Sequence, residues 1–299
     1  MTPMNMKKKI SMKQLLLAVI AATPLITPAV FAASPGITGP TFNLVASPAH
    51  ISQPDGAFVY SWGYGCDGAP TNYAPAAIAG SFCNTMQVPA PTLIVTQGDT
   101  VTVHLRNNLP NAAGNTSILF PGFNVTASGG VTGLLTQEAQ PARTVTYTFT
   151  ATTPGTRAYY SGTQGDLQVE MGLYGAIIVL PSTVPSSCTS GIHATNVLAQ
   201  QHHGEEDYRL AAAAYNHPSA CYDREYLFQF SEMDPRIHRE AEEQSVRACT
   251  GRMNVATEPY VPAYFMVNGR SMPDLIDPNY ATEYPHQPST AIRTCIRVR

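Results

Sequence analysis

The chain has 299 residues, of which 44% are hydrophobic and 12% charged, with 17 Lys and Arg against 20 Asp and Glu. A formal charge of −3 supplies no basic face for a nucleic-acid backbone or an anionic membrane. Twenty-five Pro and 22 Gly, set among β-branched runs, predict an all-β chain of short strands and many turns, large enough for one big domain or two moderate ones.

The first residues read as a targeting segment. Lys7, Lys8, Lys9 and Lys13 are basic, Leu15 to Ile26 is apolar, and Val30-Phe31-Ala32 fits a small-x-Ala cleavage site. This predicts a secretory signal peptide over 1–32. The apolar stretch falls short of the about 20 residues that a membrane span needs, and no later stretch is long enough. The expected product is soluble and periplasmic or secreted. It is free of lysine and keeps 13 Arg against 20 acids, a formal charge of −7.

Thr41 to Val45 predicts a first strand. Residues 48–91, rich in Pro, Gly, Ala and Asn, read as a long irregular excursion. Thr92 to Thr96 predicts a strand and Gln97-Gly98-Asp99 a turn. From Thr100 to Arg106, Val101, Val103 and Leu105 share one face while Thr102, His104 and Arg106 share the other. Arg143 to Thr150 repeats that alternation with Val145, Tyr147 and Phe149. A short extended stretch follows over Thr156 to Ser161, and a buried strand over Gly172 to Leu180. Strands at this spacing argue a Greek-key sandwich or barrel.

Pro181 to Ser190 reads as the domain boundary, within a linker and irregular loop over 182–222 whose only hint of helix is Ala211 to Ala214. Glu225 to Phe230 resumes strand patterning, and Tyr264 to Gly269 reads as a strand running into a turn. Six cysteines are present. Cys66 and Cys83 bracket one loop and Cys188 and Cys221 another, which in an oxidising compartment predicts two local disulfides; Cys249 and Cys295 stay unassigned.

Several of these stretches together resemble the cupredoxin domains of multicopper oxidases. Gly98-Asp99-Thr100-Val101-Thr102-Val103-His104-Leu105-Arg106-Asn107-Asn108-Leu109 is similar to that family's G-D-x-V-x-V-x-L-x-N-x-L strand. Thr116-Ser117-Ile118-Leu119-Phe120-Pro121-Gly122 resembles its T-S-I-H-W-H-G segment. Tyr147 to Phe149, Pro154-Gly155-Thr156 and Tyr159-Tyr160-Ser161-Gly162 resemble its Y-x-F…P-G-T-x-x-Y-H-S-H run. Gln168 to Val179 is similar to the closing strand, Q-x-x-x-G-L-x-G-x-x-I-V. Tyr226 to Asp234 and Phe265 to Gly269 resemble the opening of the next domain.

The resemblance implies a complete cupredoxin-like β-sandwich over 41–181 and a partial second one over 223–288, followed by an atypical tail over 289–299. It implies copper as the family's cofactor, oxidation coupled to electron transfer to oxygen, and a small phenolic or metal-ion substrate for an active member. The four histidines of the quoted segments hold copper in the family, because an H-x-H pair on a strand puts both rings on one face. Here those positions are Leu119, Pro121, Tyr160 and Gly162. Leucine, proline and glycine offer no side-chain lone pair, and a phenol ligates only as phenolate. The H-P-x-H-x-H and H-C-H segments of the family's last domain are also absent. The expectation is a chain truncated near Pro288, perturbed in folding beyond about residue 222, and catalytically incomplete.

His202 and His203, followed by Gly204-Glu205-Glu206-Asp207, form the densest cluster of alternative metal ligands; a solvated loop is the simpler expectation. His104 is expected on a strand surface and His238 in a turn, while Glu138 and Arg143 are expected to be solvated. His50, His193, His217 and His286 have no partner at ligand spacing. The readings to separate are therefore a copper-dependent oxidase-family protein, a non-catalytic cupredoxin module with unknown protein partner, and a surface copper or zinc buffer.

Overall fold

The computed structural model describes residues 36–70, 72–74, 83–202, 209–246, 252–272 and 296–298. The expected signal peptide, His203, Cys249, His286 and Cys295 lie outside the described residues.

Two five-stranded sheets carry the fold. The first holds β1 (Gly36–Thr38), β4 (Tyr73–Ala74), β5 (Leu93–Thr96), β11 (Gly155–Tyr160) and β12 (Tyr174–Leu180) in the order β11-β12-β5-β1-β4. The second holds β2 (Thr41–Ser52), β3 (Phe58–Cys66), β6 (Thr100–Asn107), β7 (Thr126–Ser128) and β10 (Thr144–Thr150) in the order β3-β2-β6-β10-β7. Alternation decides which side chains enter between them. Register pairs Val145 with Leu105, Tyr147 with Val103 and Phe149 with Val101, so six apolar residues fall on one face. They meet Ile37, Leu93, Val95, Tyr159, Ile177 and Val179 of the facing sheet in one cluster of buried residues. The expected strands over 92–107, 143–150, 156–161 and 172–180 are present within a residue or two.

The stretch 48–91 departs from expectation. It is not irregular throughout, because β2 runs on to Ser52 and turns back as β3 in a nine-pair antiparallel hairpin. Its glycines mislead. A Cβ on Gly63 would lie 2.3 Å from the Gln87 carbonyl oxygen, and one on Gly65 would lie 2.4 Å from that of Thr85. The glycines mark close backbone approach, not a loop. The 83–90 segment thus covers the outer face of β3. Cys66 and Cys83 are joined there with Cα atoms 5.3 Å apart, as the loop spacing predicts.

Three helices differ from expectation. α1 (Gly165–Glu170) occupies the front of the stretch read as a closing strand. α2 (Gly191–His202) lies where only a polar loop was expected, while Ala211 to Ala214 form bends and not a helix. Its Ile192 and Leu198 are exposed, so it shows no apolar stripe for sequence to reveal. It is held by polar contacts instead: buried Asp223 takes hydrogen bonds from Asn196 and pairs with His193 at 2.7 Å. Cys188 and Cys221 close this region with a second disulfide. α3 (Pro235–Val246) replaces the expected turn around His238, which is fully buried. Asp234 caps it by accepting the Arg236 amide at 2.9 Å, and Pro235 stands at the first helical position.

The stretch expected as one strand over 225–230 divides into β13 (Arg224–Tyr226) and β14 (Phe230–Met233). β14 pairs with β15 (Tyr264–Val267), and β13 pairs in parallel with β16 (Ile296–Val298). The described residues belong to one compact unit. Trp62, fully buried at the centre of β3, tests the corrected assignment. Trp62→Ala is expected to cost about 3–5 kcal/mol in urea unfolding; a loss below about 1 kcal/mol would return this stretch to the surface.

Candidate functional site

The segments 116–122 and 159–162 meet at the edge of the core. Ile118 and Phe120 are buried, so period-two alternation turns Leu119 and Pro121 to the opposite face. Tyr159 and Ser161 are likewise buried, which turns Tyr160 and Gly162 away from the core. The chains pair antiparallel at Leu119 and Tyr160, with the Leu119 amide donating to the Tyr160 carbonyl at 2.7 Å. The structure thereby brings Leu119, Tyr160 and Gly162 together. Pro121 is exposed.

Leu119 fills the space above Gly162. A Cβ built on Gly162 would lie 2.7 Å from Leu119 Cγ and 2.9 Å and 3.0 Å from its two methyl carbons. The large residue on one strand and the absent side chain on the other are complementary, as close packing requires. A side chain of any size at 162 has to displace Leu119.

Beneath this contact lies a polar network that sequence reasoning missed. The Thr116 and Ser161 hydroxyls both donate to Gln168 Oε1, at 2.8 Å and 2.7 Å. Gln168 Nε2 donates to the Asn115 carbonyl at 2.8 Å. Thr163 donates to Glu138 Oε1 at 2.8 Å and lies 2.9 Å from the Ser117 hydroxyl, while Ser117 Oγ accepts the Gly162 amide. Asn115 donates to the other Glu138 oxygen at 3.0 Å. Glu138 is therefore tied into the wall and not simply solvated. Tyr64 donates to the Ser117 carbonyl at 2.8 Å, and burial pushes its phenol well above the ordinary value. Burial acts the same way on Tyr147, which donates to Gln137 and accepts the Ile118 amide. These phenols act as fixed neutral donors. The sequence signal was the run of small hydroxyl residues at 116–117 and 161–163, but Thr163 finds Glu138 25 residues away and Thr116 finds Gln168 52 residues away.

The other candidates are dispersed. His202 ends α2 and is exposed. His104 is half-buried, and its Nδ1 lies 2.9 Å from the Thr146 hydroxyl on the neighbouring strand. His50 pairs with Glu242 at 2.7 Å across the surface, and His193 with Asp223 as above, so both have partners that local spacing could not show. His217 accepts the Ser219 amide at the start of a short turn.

Two mixed sheets closed over an aromatic core, with the 116–122 and 155–163 segments side by side, define a cupredoxin-like all-β protein. Residues 76–183 match the family model described as multicopper oxidase. An L-ascorbate oxidase of Brassica rapa subsp. pekinensis is 38% identical over 96 residues, covering 31% of this chain and 16% of that protein. Copper resistance protein A of Escherichia coli is 38% identical over 93 residues, 31% of this chain and 14% of that protein. Among solved structures, a multi-copper oxidase from Pseudomonas thermotolerans aligns at a TM-score of 0.45 and 18% identity, over 79% of this chain and 42% of that one. The likeness to the multicopper oxidase family rests on residues 76–183 and on stretches of 93 to 96 residues shared with these relatives. The chain spans about a sixth of the length of these curated relatives.

The residues at the family's first-domain copper positions do not fit copper. Leu119, Pro121 and Gly162 carry no donor atom, and Tyr160 offers a phenol where imidazole is needed. The packing generates a direct test. Gly162→Ala is expected to cost about 1–3 kcal/mol, the usual range for overpacking, and adding Leu119→Ala is expected to recover part of that loss. Equal stability of Gly162→Ala and wild type in urea titrations would contradict the close contact.

Proposed function

We propose that this chain is an exported protein of the multicopper oxidase family whose first cupredoxin domain, over 41–181, serves as a non-catalytic binding or structural module. The observation that carries the reading is the Leu119 side chain packed onto Gly162, with the donor-free set around it. A histidine restored at position 162 would meet the Leu119 side chain. The names of the relatives, an oxidase and a copper resistance protein, tie the family to copper and to oxidation. What comes from them to this chain is a copper-handling setting, and not a copper site at these four positions.

Export is supported by the basic and apolar character of residues 7–26 and by two disulfides in the described residues. Residues 223–288 are read as the beginning of a second cupredoxin-like domain, supported by the β14–β15 ribbon and the Asn268-Gly269 turn. Oxidation of a phenolic or metal-ion substrate is the family role that the first-domain residues do not support here.

The test is copper loading of the purified mature chain, followed by metal analysis, visible and EPR spectra, and oxygen uptake with a phenolic dye. The expected result for the wild type is no stoichiometric copper, no blue absorbance and no turnover. Turnover by the wild type would overturn the reading. Copper retained by the wild type but lost on His202→Ala with His203→Ala would replace it with a surface buffer.

A further inference from the structure

Residues 107–137 hold no Asp, Glu, Lys, Arg or His, a run of 31. Elsewhere the chain is acidic, with 13 Arg against 20 Asp and Glu over residues 33–299. The run includes β7 and most of the hairpin formed by β8 (Val131–Thr132) and β9 (Gln137–Glu138). Charges stand only at its margin. Glu138 accepts from Asn115 and Thr163, and Arg157 lies over the Phe123 ring while donating to the Thr153 carbonyl. Arg143 is exposed just before β10.

Within this run β7 is an open sheet edge. It pairs with β10 alone, and residues 124–129 make no other backbone pairing among the described residues. Edges are ordinarily blunted by charge, by Pro or by a covering segment. Asn124 to Thr132 has neither charge nor Pro. The opposite edge, β3, shows the contrast: Trp62 donates to the Met171 carbonyl at 2.8 Å, and the Tyr64 carbonyl accepts the Gln87 amide at 3.0 Å. An apolar tip follows the open edge. The Gly133 amide donates to the Thr136 carbonyl at 3.0 Å, closing a turn whose middle residues are Leu134 and Leu135. They are 90% and 65% exposed. Turns ordinarily carry polar residues, and two adjacent leucines at one are stabilised by leaving water.

We propose that a second copy of this chain covers this end, the two β7 strands pairing antiparallel about a two-fold axis and each leucine tip packing on the other copy. Charge favours a copy here. Two acidic chains repel, and a charge-free end is where they approach with least repulsion. Geometry favours it as well, because an antiparallel edge pair is self-complementary, as a two-fold contact requires. The pairing joins two five-stranded sheets into one. Depletion of charge also marks the centres of protein interfaces, with polar residues at the rim. A stable contact takes about 800 Å² from each partner. Two leucines supply less than that, so the exposed Pro121, Asn124, Thr126 and Ser128 enter the contact too.

The test is sedimentation velocity of the purified protein across the micromolar range, at low and at physiological ionic strength. A monomer–dimer equilibrium is expected, and it strengthens with salt because screening weakens the repulsion of two acidic chains. Leu134→Asp with Leu135→Asp changes only exposed side chains and is expected to weaken dimerisation by at least about tenfold with an unchanged thermal melt. Ser128→Glu, which places like charges at the paired edges, is expected to weaken it as well. Phe230→Ser with Phe265→Ser, exposed residues of the β14–β15 ribbon, is expected to leave it unchanged. A monomer at every concentration overturns the proposal, including one that co-sediments with phosphatidylcholine vesicles and so gives the tip to a lipid surface. Dimers of wild-type strength in both the Asp and the Glu variants overturn it, as does dimerisation lost only in the Ser variant. None of these variants alters positions 119, 121, 160 or 162, so failure here leaves the copper reading untouched.

Discussion

The alternation of side chains along residues 118–121 is the constraint on which the rest depends. Ile118 and Phe120 must enter the core between the two sheets, because they pack with Tyr147, Phe149 and Tyr159. That leaves Leu119 and Pro121 on the other face by period two. The same logic along 159–162 buries Tyr159 and Ser161 and presents Tyr160 and Gly162. The core therefore fixes where the four family positions point, whatever residues fill them. The frame is built from apolar packing and from hydrogen bonds that join the two segments.

The joining is done in two layers. Outside, Leu119 lies on Gly162 and the two backbones pair. Inside, Gln168 gathers Thr116, Ser161 and Asn115, while Glu138 gathers Thr163 and Asn115. A hydrogen bond in such a network contributes about 0.5–1.5 kcal/mol net, but leaving one of its buried members unpaired costs about 1–3 kcal/mol. The network thus penalises any separation of the two segments more than it rewards their contact. Fold and chemistry part company here: the frame is retained and the donor atoms at its rim are not.

Much of the sandwich was legible from sequence because alternation leaves a direct trace. Val101, Val103 and Leu105 opposite Val145, Tyr147 and Phe149 could be read before any coordinates, and so could the apolar run at 177–179. The failures have physical reasons. In β3, Gly63 and Gly65 look like loop residues, yet they are small because another backbone crosses them. In α2 there is no apolar stripe to detect, since polar contacts to Asp223 hold the helix. In α3, Asp234-Pro235 has the look of a turn, although an Asp cap followed by Pro is also how a helix begins. Leu119, Pro121, Tyr160 and Gly162 were found through family resemblance. Their contact with one another, and the roles of Glu138 and Gln168, depend on partners far along the chain.

The central proposal is that Leu119, packed on Gly162, leaves the first-domain copper frame without room or donors for a metal. Anomalous diffraction at the copper edge, from crystals of the mature chain soaked in copper, tests it most directly. The account predicts no anomalous peak within bonding distance of residues 119, 121, 160 and 162, and clear density for Leu119 against Gly162. A copper peak between those two segments, with Leu119 swung away, would contradict it.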